Sequence, residues 1–198
     1  PGSRLVETAG EFFDEFIFIE EASTHSHGKD GEHSHSGTAF TTWLDFRLAK
    51  IQAETAAVAL TEVGAGNGGL AGLLEDLTTL DIAMKEAGKS IGDQPLVASH
   101  PVYQYLARAY GLNLKSVLWE PETVPDEAAM ADLKKLLEAH PAKWMIWEGE
   151  PHPESVEMLE ALGVESVVFD PCGNRPESGD FLTVMEENLA NLGALFQK

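Results

Sequence analysis

Strand and helix signals alternate over the second half of the chain and specify an α/β fold. The expected architecture is a four-stranded parallel sheet flanked by helices, plus a long connecting helix. Three observations lead there. Four short apolar runs, at 95–99, 114–119, 143–147 and 165–169, are separated by segments of helical periodicity. Each run stops at a titratable residue (His100, Glu120, Glu148, Asp170) with a proline close behind. Upstream, 37–63 carries the longest helical pattern, closed by the glycine-rich stretch 64–69. Alternation of this kind implies parallel strands joined by right-handed crossovers.

Taken in order, Phe16–Ile19 reads as a strand with no obvious local partner. The tract THSHGKDGEHSHSG at 24–37 is histidine-rich and nearly palindromic about Asp30. As a hairpin with a three-residue turn at 29–31 it would pair Gly28 with Glu32, His27 with His33 and His25 with His35. All four imidazoles would then share one face, near enough for a common metal ion. The other reading is a disordered, solvated tract without bound metal, and weak metal capture is compatible with either state. The helix of 41–63 has Thr41 or Thr42 as its expected cap, and Leu44, Leu48, Ile51, Thr55, Val58 and Ala59 form its apolar stripe. A second helix is expected over 70–87, stopped by Gly88.

The stretch PLVASHPVYQYLARAYGL at 95–112 reads as buried strand, sharp turn and amphipathic helix, with Pro101 opening the helix and Gly111 ending it. Further helices are expected at 125–139, 153–162 and 180–196.

Composition narrows the function. The chain has 198 residues, 33 acidic against 13 basic, and a formal charge of −20. Nucleic acid and anionic membranes are poor partners for such a surface, whereas a cation is compatible. No apolar run approaches the ~18 residues of a membrane span. The single cysteine, Cys172, excludes an intrachain disulfide. No export signal is visible, and the start at Pro1-Gly2-Ser3 suggests a piece of a longer chain.

In an open α/β sheet, ligands bind beyond the carboxyl ends of the strands. His100, Glu148 and Asp170 converge there if the first, third and fourth sheet strands lie close together. One imidazole and two carboxylates form a partial shell for zinc or manganese. Glu148 could instead orient His100, and Asp170 could cap its own loop. A helix beginning at Pro101 would set its positive end against a cation. Cys172 lacks a nearby histidine base, Ser99-His100 lacks the nucleophile-elbow pattern, and 64–69 lacks the P-loop lysine. A metal-dependent hydrolase with Glu148 as base, or a fragment with a degenerate site, remain as alternatives.

The histidine-rich tract, TAFTTWLDFRLAKIQA at 38–53, SHPVYQYLARAYGL at 99–112, the strand-end Glu148 and VVFDPCG at 167–173 resemble, in order, the solute-binding proteins of zinc and manganese ABC transporters (ZnuA/TroA-like). The resemblance implies a non-enzymatic protein outside the cytoplasm, periplasmic or otherwise, that binds Zn2+ or Mn2+ and hands it to a membrane ABC permease. It implies that 1–40 is the tail of an amino-terminal lobe, 41–63 the connecting helix, 64–94 a glycine-rich turn and helix, and 95–198 the carboxyl-terminal lobe. Most of the first lobe would be missing. His100 matches the family's carboxyl-lobe metal histidine, Asp170 its aspartate ligand, and Glu148 a supporting carboxylate. Thr41 stands where the family has a metal histidine, so His33 or His35 becomes a substitute donor, with His25 and His27 beside them. The uncovered face of the connecting helix suggests self-association.

Overall fold

The structure is a computed structural model and describes residues 5–19, 24–26, 32–34 and 37–196. The chain divides into two compact units, 1–82 and 83–198.

In the first unit, β1 (Phe18–Ile19) pairs antiparallel with β4 (Gly37–Thr38), so the partner missing from the local sequence comes from beyond the histidine tract. Between them in the chain, β2 (Thr24–Ser26) pairs with β3 (Glu32–Ser34) in the register Thr24↔Ser34, His25↔His33, Ser26↔Glu32. This corrects the expected register. His25 now faces His33, and five residues rather than three separate the strands. The sequence of the tract has no apolar alternation from which a register could be read.

The connecting helix starts later than expected. Residues Thr42–Leu44 form a 3-10 turn, and α1 runs Phe46–Glu62. Its cap is neither Thr41 nor Thr42 but Asp45, whose carboxylate accepts from the amides of Arg47 (3.0 Å) and Leu48 (3.4 Å). The Thr42 hydroxyl donates instead to Gln52 Oε1. Arg47 pairs with Glu15 and with Asp45, tying the first turn of α1 to the preceding segment. Leu44 and Leu48 are buried as expected, but Ala57 rather than Val58 turns inward, and Val58 is 61% exposed.

Helix α2 spans Leu70–Ile91 and passes through Gly88 without stopping. Glycine is there for proximity. A Cβ on Gly88 would collide with the Tyr110 carbonyl oxygen, so two segments of the second unit touch backbone to side-chain-free backbone. Gly111, by contrast, is a helix end as read from sequence, in the left-handed region at φ 69°.

The second unit carries the sheet. Strands β5 (Pro95–Ala98), β6 (Asn113–Ser116), β7 (Trp144–Trp147) and β8 (Glu165–Val168) are all parallel and lie in the order β6-β5-β7-β8. Every residue of β7 is buried, as an inner strand covered on both faces requires. One face of the sheet packs Val97, Met145, Trp147 and Val164 against Met130 and Leu133 of α4 (Glu127–Ala139) and Leu159 of α5 (Pro153–Glu160). Leu96, Ala98 and Ile146 alternate to the other face and are also buried. Helix α3 (Gln104–Tyr110) follows β5, and α6 (Phe181–Leu192) follows β8. Among the described residues, no helix is long and apolar enough to cross a membrane.

Candidate metal centre

From β5 the chain moves outward to β6, then returns past β5 to β7 on the other side. The carboxyl ends of β5 and β7 therefore flank the point where the direction of winding reverses, which is where open α/β sheets form a ligand crevice. His100 lies just beyond β5 and Glu148 directly beyond β7. His100 Nδ1 is 3.7 Å from Glu148 Oε1 and 4.0 Å from Glu120 Oε1. One donor atom from each of His100, Glu120 and Glu148 lies within 4.8 Å of the others.

The main chain fixes these strand ends. The Ser99 amide donates to the Ile146 carbonyl (2.8 Å), and the Trp119 amide donates to the Ser99 carbonyl (2.7 Å). Hydrogen bonding thus continues past the strands, up to the residue before each candidate donor. His100 is 3% exposed, held where the chain turns at Pro101. Helix α3 begins at Gln104 rather than Pro101. This moves its positive end away from the imidazole and weakens the opposition to a cation, since the field fades within the first turn.

The Glu148 carboxyl is pushed up to about 7, first by burial and then by the negative charges of Glu120, Glu122 and Asp170. A cation among these groups would relieve the same repulsion. Burial, with Glu148 and Asp170 adding to it, raises the Tyr103 phenol well above its usual range. Its hydroxyl donates to the Phe169 carbonyl at 2.7 Å, joining the turn after His100 to the end of β8.

Asp170 stands outside the group of three. Its Oδ1 accepts from the Cys172 amide at 2.6 Å, which holds Cys172 at a left-handed φ of 54°. Its charge still bears on Glu148 and Tyr103. The Cys172 thiol is raised by burial and by Asp170 and Asp180, which disfavours thiolate chemistry. Of the histidine tract, the backbones of His25 and His33 are cross-strand partners, whereas His27 and His35 lie outside the described residues. Thr41 is buried within the first unit.

Sequence reasoning placed Glu120 on the strand-end rim but passed over it as a donor. The signal was present in the pattern itself: LWEP and IWEG put Trp-Glu at the end of two runs.

A family model for zinc-uptake complex component A, periplasmic (ZnuA), matches residues 4–194. The zinc-binding lipoprotein AdcA of Streptococcus pneumoniae (strain ATCC BAA-255 / R6) is 24% identical over 185 residues, covering 87% of this chain and 36% of AdcA. The crystal structure of Zn(II)-bound AdcA from Streptococcus pneumoniae superposes with a TM-score of 0.68 at 23% identity, over 83% of this chain and 38% of that one. The metal-dependent lipoprotein YcdH from Bacillus subtilis gives a TM-score of 0.70 at 19% identity, over 84% and 67%. These structures share the fold, and the chain spans little more than a third of the length of AdcA. Because the family match runs over nearly the whole sequence, the chain belongs to the zinc-uptake complex component A (ZnuA) family.

Proposed function

We propose that the chain captures a divalent metal ion, zinc with manganese as the alternative, and delivers it as cargo to a membrane permease of the ABC type. The observation that carries this is the buried imidazole of His100 facing two carboxylates at the winding reversal of the sheet. AdcA, to which the chain is similar, is a zinc-binding lipoprotein. Neutral imidazole and ionised carboxylates are the forms that ligate such an ion. Asp170, whose charge reaches Glu148, borders the site.

An extracytoplasmic, periplasmic setting belongs to the same reading. So does the role of His25, His27, His33 and His35 as a tract that gathers metal, supported by the pairing of His25 with His33. The function is binding and transfer rather than turnover. Self-association through α1 rests on the exposure of Val58 and Leu60 on that helix and of Val63 at its cap.

Calorimetric titration of the full chain with zinc tests the reading. Binding that falls at least about 100-fold in His100→Ala supports it, because removal of a ligand exceeds the 10–100-fold typical of supporting residues. Absence of zinc and manganese binding by the unaltered chain overturns it. Hydrolytic turnover by the metal-loaded chain would favour an enzyme instead.

A further inference from the structure

We propose that Glu120 is a direct metal ligand, and that His100, Glu120 and Glu148 form a primary site for a divalent transition-metal ion within the second unit, needing no donor at Thr41. This rests on the metal-capture reading above and specifies its donor set.

The separations fit a shared ion. Two donors about 2.1 Å from zinc at a tetrahedral angle are about 3.4 Å apart. The 3.7 Å and 4.0 Å from His100 Nδ1 to the two carboxylates are only slightly wider. The 4.0 Å distance is too long for Glu120 to act as a hydrogen-bond acceptor orienting His100, the usual supporting role of a carboxylate.

Glu120 is also not placed by a loose loop. Just before it, the Trp119 amide is bound to Ser99, and the Trp119 ring packs on the Trp147 ring at 6.1 Å between centroids. Just after it, Pro121 accepts from the His152 amide at 2.8 Å and lies 3.7 Å from the Cβ position of Gly149. The two Trp-Glu pairs are therefore fastened to each other on both sides of their carboxylates.

Charge supports the assignment. Two carboxylates neutralise a dication, so the occupied site carries no net charge beside the buried indoles, whereas the empty site concentrates negative charge there. Asp170 lies outside the group of three whose donor atoms come within 4.8 Å of one another. One imidazole nitrogen and two carboxylate oxygens suit zinc, cobalt(II) and manganese(II), and not copper(I), which prefers sulfur.

The test is titration of the full chain with Zn2+, and separately with Co2+ followed by its visible absorption. The variants are Glu120→Gln, Glu122→Gln and Thr41→Val. Glu122→Gln removes the same charge from the same loop. The expected result is at least about 100-fold weaker zinc binding and a changed cobalt spectrum for Glu120→Gln, against less than about threefold for the other two. Glu120→Gln binding within threefold of the unaltered chain, with an unchanged cobalt spectrum, overturns the assignment while leaving metal capture through His100 standing. Equal losses in Glu120→Gln and Glu122→Gln reduce Glu120 to a charge effect and overturn it as well. A tenfold loss in Thr41→Val overturns the independence from Thr41. No binding by the unaltered chain overturns this assignment and the metal-capture reading together.

Discussion

Asn188 clamps the main chain of Asp170 from both sides. Its Oδ1 accepts from the Asp170 amide at 2.9 Å, and its Nδ2 donates to the Asp170 carbonyl at 2.7 Å. Asn188 is 2% exposed on α6, so one helix residue fixes where the chain leaves β8. Replacement by alanine removes two partly buried hydrogen bonds and leaves main-chain groups of Asp170 without these partners. Asn188→Ala is expected to destabilise the fold by on the order of 2–4 kcal/mol, measured by chemical denaturation. A loss below about 0.5 kcal/mol would show that the clamp is dispensable.

Glu148 makes metal binding depend on pH with a defined sign. Its carboxyl is raised to about 7 in the fold, against an ordinary value of 4.5. In the metal-free protein the folded state therefore retains a proton that the unfolded state loses, so stability from this group falls as pH rises from about 4.5 to about 7. Metal requires the ionised form, so zinc affinity rises over the same window and binding releases protons. Calorimetry in buffers of different ionisation enthalpy should detect proton release at pH 6 that diminishes by pH 8. Glu148→Gln should flatten the stability profile.

Gly88 separates two opposing effects. In an exposed helix interior, glycine to alanine would stabilise by about 1 kcal/mol. Here the new Cβ meets the Tyr110 carbonyl, and main chain yields only at an overpacking cost of roughly 1–3 kcal/mol. Gly88→Ala should therefore lower stability in denaturant titrations. A gain would mean that the close approach relaxes freely.

Trp119 and Trp147 give the site an optical reporter. Their rings are in contact, and each immediately precedes a candidate ligand. Zinc titration is expected to change tryptophan emission in the unaltered chain and in Trp43→Phe, and to leave it unchanged in His100→Ala. An unaltered response in His100→Ala would locate the metal elsewhere.

The parts of the fold legible in the sequence were those with a strong period. Inner parallel strands are covered on both faces and so read as apolar runs, and β5 and β7 fell within a residue of their expected bounds. What was illegible depended on tertiary context. Gly88 looks like a stop locally, and only its approach to Tyr110 explains its place inside α2. Thr41 and Thr42 are acceptable caps, but the 3-10 turn they enter passes that role to Asp45. The histidine tract carries no apolar alternation in its sequence from which a register could be read. The site was half legible. His100 and Glu148 stood out at strand ends, whereas Glu120, marked locally by the Trp-Glu it shares with Glu148, is joined to them by the strand order, which places β6 beside β5. That order is a property of the assembled sheet and leaves no local mark.

Anomalous diffraction at the zinc edge from crystals of the zinc-loaded chain tests the central claim most directly. The expected result is a peak within bonding distance of His100 Nδ1 and a Glu148 carboxylate oxygen. Strong peaks confined to other sites, with none between these two side chains, would contradict it.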